Sequence, residues 1–108
     1  MRMEGGEIMT QQRKPPQEMK VKMPDEIKRG AYCNLMIVTH TKEEFIMDFI
    51  LASPPEAVVT SRVIMSPGHM KRTISALQEN MEKYEKQIGK IEAAPEPVTK
   101  GKIGFVKS

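Results

Sequence analysis

The chain has no tryptophan, a single cysteine and only five aromatic residues among 108, and each shortage removes a class of protein. With Cys33 alone, no disulfide can close within the chain and no multi-cysteine zinc site can be assembled. That usage fits a reducing compartment. No apolar run approaches the roughly 18 residues that a membrane-spanning helix needs. Residues 1–6 lack the apolar stretch of a secretory signal, and Met9 offers an alternative start. The expectation is a soluble cytoplasmic protein with no membrane contact. Also missing are a glycine-rich phosphate loop, a nucleophile elbow, a Cys-x-x-Cys and a plausible triad. His40 and His69 are the only histidines, and neither has a second histidine or cysteine at ligand spacing. The expectation is therefore no catalytic residue, no metal and no cofactor.

Ten methionines stand in for the missing aromatic bulk. Methionine fills irregular gaps and repacks readily, which suits interfaces as well as cores. The net charge of +3 invites a nucleic-acid reading, so its placement matters. Residues 1–23 carry +2, residues 24–92 carry −1 and residues 93–108 carry +2. The basic excess lies in the tails, whereas a nucleic-acid-binding fold normally has a basic face of its own.

Punctuation divides the chain into three parts. Residues 1–17, rich in Gly, Gln and Pro, read as a disordered tail, and residues 93–108, opening on Ala-Ala-Pro-Glu-Pro, as a flexible basic one. Between them, residues 18–92 form one domain. Residues 19–23 alternate apolar and basic side chains and suggest a short edge strand ended by Pro24. Three strands follow at 31–39, 44–52 and 57–65, separated by the polar turn 40–43 and by Ser53-Pro54-Pro55-Glu56. Short turns make neighbouring strands antiparallel. The fold class is α+β: a meander of three to four strands, then one long amphipathic helix.

That helix has a sharp start, with Ser66 at the N-cap and Pro67 at the first helical position. Its apolar residues are Met70, Ile74, Leu77, Met81, Tyr84, Ile88 and Ile91, spaced 4, 3, 4, 3, 4 and 3. A stripe this narrow is that of a paired helix. A helix lying on its own sheet is the competing reading. Glu79–Lys83 and Glu82–Lys86 stand at i,i+4 spacing on its outer side.

The second strand argues for self-association. Phe45, Met47, Phe49 and Leu51 occupy one face, while Ile46 and Ile50 flank Asp48 on the other. One helix covers one face, and soluble monomers avoid large exposed apolar patches. The foldable core is also small enough to be marginal alone. The expected interface comprises the first four of these residues with Met70, Ile74, Leu77, Met81, Tyr84 and Ile88. The expected state is a homodimer or higher even oligomer. Asp48 is read as a buried partner of Arg62 or as a surface carboxylate. Arg62, His69, Lys71 and Arg72 form a candidate anion or partner patch. The leading function is a non-catalytic, homo-oligomeric protein-interaction module, a scaffold or chaperone-like binder. The alternative is a nucleic-acid-binding accessory protein using the basic tails and the Arg62/Lys71/Arg72 patch.

Several runs are similar to one uncharacterised bacterial and archaeal family. They are Gly30-Ala31-Tyr32-Cys33-Asn34, Glu44-Phe45-Ile46-Met47-Asp48-Phe49, Ser61-Arg62-Val63, Pro67-Gly68-His69-Met70-Lys71-Arg72 and Ala76-Leu77-Gln78-Glu79-Asn80-Met81-Glu82-Lys83-Tyr84-Glu85. In this order they resemble domain of unknown function 3467, which implies boundaries near residues 19–92 and no assigned activity. At the level of fold alone, a meander followed by a long helix looks like the SecB-type export chaperones, which implies a binder of unfolded chains.

Overall fold

A computed structural model describes residues 17–97, 104 and 106. The expected disorder of residues 1–17 and of the distal C-terminal tail falls almost wholly outside the described residues. The elements run α1 (Asp25–Lys28), β1 (Leu35–His40), β2 (Phe45–Ser53), β3 (Glu56–Met65) and α2 (Pro67–Gln87). The three strands form one antiparallel sheet in the order β1-β2-β3, so the chain is an α+β protein built as a meander followed by a long helix.

Local chemistry accounts for each junction. Thr41 Oγ1 accepts from the backbone N–H groups of Glu43 and Glu44, and Thr41 N–H donates to the Glu44 carbonyl. These bonds close the β1–β2 turn and set His40 opposite Phe45, their rings 5.4 Å apart. The β2–β3 turn contains Pro54 and Pro55, joined by a cis peptide. Between β2 and β3 the register shifts: Phe49 pairs with Ser61 but Ile50 with Val59, leaving Thr60 as the extra residue of a bulge. Thr60 Oγ1 lies within donating distance of the Phe49 and Tyr32 carbonyls. The bulge thus ties the segment before β1 to the far strand of the sheet.

Ahead of β1 the outcome differs from expectation in three ways. The first strand begins at Leu35 rather than Ala31, because Asn34 bonds to Ala52 through its side-chain amide, accepting from Ala52 N–H and donating to its carbonyl. Residues 19–23 form no strand; a strand exists only as part of a paired ladder, and Pro24 turns the chain directly into α1. Sequence periodicity does not indicate α1, a single turn too short to show any. Gly30 follows it at φ 78, a conformation that glycine adopts without steric cost.

At α2 the Ser66 hydroxyl accepts from His69 N–H, and Pro67 occupies the first turn, where its missing N–H goes unneeded. Met70 is buried, and Thr73 Oγ1 lies 3.4 Å from Met65 Sδ, so the first turns of the helix rest against the end of β3. Beyond them contact with the sheet ceases. Ile74, Leu77, Met81, Tyr84 and Ile88 are between 44% and 70% exposed, which overturns the reading of a helix laid along its own sheet. Glu79–Lys83 and Glu82–Lys86 do not close; among the described residues the ion pair formed is Asp48–Arg62. The helix ends at the Ile88 cap, and Gly89 follows at φ 151, a conformation open to glycine.

Candidate functional site

Strand register sorts the side chains onto two faces. Phe45, Met47, Phe49 and Leu51 of β2 share a face with Met36 and Val38 of β1 and with Val63 and Met65 of β3. Ile46, Asp48, Ile50 and Ala52 share the opposite face with Leu35 and Ile37 and with Arg62 and Ile64. Neither face is fully covered. Among the described residues the buried apolar side chains are Met47, Ile50, Ala52 and Met70. Phe45 and Phe49 are half-buried, while Leu51, Met36, Val38 and Ile64 are exposed. Four buried apolar residues make a very small core for a chain of this length.

The centre of the second face is ionic. Asp48 is 2% exposed and lies opposite Arg62, whose Nε donates to Oδ1 at 2.6 Å and whose second guanidinium nitrogen donates to Oδ2 at 3.0 Å. This forked geometry is the strongest that an arginine and a carboxylate can make. Hydrogen bonding from Arg62 holds the Asp48 carboxyl below its ordinary value of 3.8; burial opposes this and the positive charge of Arg62 adds to it. The same bonds push the Arg62 guanidinium up.

Two of the N–H groups of Arg62 are thereby taken by Asp48, and other cations stand at the start of α2. There Arg72 donates to His69 Nδ1 at 3.0 Å, a contact that requires this nitrogen to be unprotonated. Lys71 is exposed on the adjacent side of the helix. Among the described residues, no hydrogen bond joins Arg62 to His69, Lys71 or Arg72. No group of three or more acidic, histidine or cysteine side chains that could hold a metal occurs among the described residues. The best-formed hollows are open depressions, one along the charged side of α2 and one beside the β2–β3 turn.

The dominant surface feature is apolar, and it extends further than the sequence pattern had indicated. Met19, Val21, Met23, Ile27 and Tyr32, in the arm that precedes β1, are 61–86% exposed, comparable to the stripe of α2. The alternation at 19–23 is a pattern that suggests a strand, whereas in the structure these residues belong to an arm outside the sheet.

A three-stranded meander with an outstretched helix and an exposed apolar stripe defines a small α+β module. The chain belongs to the family described as protein of unknown function (DUF3467), which matches residues 3–93. No curated protein and no solved structure matches the chain, so the likeness to SecB-type chaperones has no support. Among the described residues, no helix is long and apolar enough to cross a membrane.

Proposed function

We propose that this protein is a non-catalytic, homo-oligomeric interaction module that scaffolds or holds protein segments through methionine-rich apolar surface. The exposed stripe of α2 carries the proposal. A 21-residue helix about 32 Å long, projecting from its sheet with five large apolar side chains in water, is costly for a monomer. Pairing between copies removes that surface from water and supplies the core that the protomer lacks. The cysteine usage supports a cytoplasmic setting.

The nucleic-acid alternative is weakened by the engagement of Arg62 with Asp48 and by the near-neutral charge of residues 24–92. Light scattering coupled to gel filtration tests the main reading. The expected mass is an even multiple of 12.3 kDa, and a particle of 12.3 kDa at micromolar concentration would refute it. Labelled DNA and RNA at two salt concentrations test the alternative. Sub-micromolar binding with a steep salt slope, retained after removal of both tails, would put it first.

A further inference from the structure

We infer that the second copy seats antiparallel on α2, with the two-fold axis crossing the helix at Glu79. This rests on the homo-oligomeric reading and adds the geometry of its central contact. The spacing places Met70, Leu77 and Tyr84 at d positions and Ile74, Met81 and Ile88 at a positions of a heptad repeat. The flanking e positions are then Lys71, Gln78 and Glu85, and the g positions are Thr73, Asn80 and Gln87.

Charge on those flanks separates the two directions of pairing. In an antiparallel pair e faces e and g faces g. Lys71 then meets Glu85 of the second copy, Gln78 meets Gln78, and Asn80 meets Asn80. Both charged flanking residues are matched with opposite sign, twice per dimer, and the remaining flanks are neutral and polar. The core layers join Ile74 to Tyr84 and Leu77 to Met81, and they set Ile88 beside Met70, which is already buried in the protomer. In a parallel pair g faces the e position five residues on. Thr73 would meet Gln78, Asn80 would meet Glu85, and no opposite charges would come together. Antiparallel packing also sets the helix dipoles head to tail. It brings Ile88 of the second copy to the root of α2, where Thr73 meets Met65 on the sheet face that holds half-buried Phe45. Uncovered helix and uncovered sheet then form one continuous surface.

Cross-linking the full chain in a Cys33→Ala background tests the direction. Gln78→Cys lies near the axis and should give a covalent dimer with a short bismaleimide. Ile74→Cys should not, because its two copies stand about 15 Å apart along the antiparallel pair. Linking through Ile74→Cys but not Gln78→Cys, through both, or through neither in a sample that light scattering shows to be dimeric overturns the antiparallel seam and leaves the oligomer standing. A 12.3 kDa particle overturns both. Charge exchange gives an independent readout: Lys71→Glu should raise the dimer dissociation constant about tenfold, and adding Glu85→Lys should restore it. Failure of the double variant to recover any affinity, with Lys71→Glu weakened, removes the Lys71–Glu85 pairing.

Discussion

Replacing Leu77 by alanine separates an exposed helix from a paired one. Leu77 is 65% exposed in the protomer and projects from the middle of α2. Were it solvated in the working protein, the change would alter stability by less than about 0.5 kcal/mol, because alanine is the better helix former and no packed neighbour is lost. In a paired seam the calculation changes. Full burial of a leucine stabilises by about 1.5–3 kcal/mol, so the part still exposed in the protomer represents roughly 1–2 kcal/mol. Two copies per dimer lose on the order of 2–4 kcal/mol, a rise of roughly 30- to 700-fold in the dissociation constant. Sedimentation equilibrium over a range of loading concentrations measures that constant directly. Glu82→Ala, on the outward side of the same helix, is the control and should leave it unchanged. A Leu77→Ala protein whose constant stays within threefold of the parent would refute the seam.

Acid should weaken the fold through Asp48. Because Arg62 lowers the folded-state pKa of this carboxyl beneath 3.8, its stabilisation is complete above the unfolded value and is lost as pH falls through the lower folded value. Urea midpoints followed from pH 6 to pH 2 should therefore drop more steeply in the parent than in Asp48→Asn; parallel curves would contradict the assignment. Ser66→Ala should destabilise the protein by about 1 kcal/mol through the lost cap on His69 N–H, read as a lower midpoint in the same titration, and Ser66→Asp should retain most of it. An alanine variant as stable as the parent would show that the cap is replaced by water.

The elements whose signals are local were legible beforehand. Thr41 and the two prolines punctuate the meander, and Ser66-Pro67 marks the first residue of α2. Once the turns are placed, pairing of β2 with β3 sets Asp48 opposite Arg62. The apolar stripe of α2 could likewise be written down from its spacing. Features that depend on distant partners were not legible. The bulge at Thr60 exists because its hydroxyl reaches two carbonyls, one from a segment 28 residues earlier in the chain. The single turn of α1 is shorter than any period that a pattern can reveal. Residues 19–23 alternate as a strand does, yet alternation specifies a face and not a neighbour. The departure of α2 from the sheet has the same cause: amphipathicity requires that a stripe be covered and is silent on whose surface covers it.

In the proposed homo-oligomer, the ion pair limits which side of the sheet a second copy can cover. A guanidinium has five N–H groups, of which Asp48 takes two, leaving three that must find acceptors. Arg62 remains 57% exposed in the protomer, where water can satisfy them. An apolar surface pressed onto that face would strand those donors next to a charge, and a buried charged group without hydrogen bonds is among the most costly arrangements in a protein. The opposite face, with Phe45, Met47, Phe49, Leu51 and Val63, has no such requirement. It is also the face that Met65 connects to the root of α2. In the proposed oligomer, apolar association therefore belongs on the helix side of the sheet, while the exposed edge of Arg62 keeps its water or meets a surface that offers oxygen acceptors. Arg62→Met, by contrast, would leave the Asp48 carboxylate without its hydrogen bonds, so a change in assembly in that variant has to be read beside its loss of fold stability.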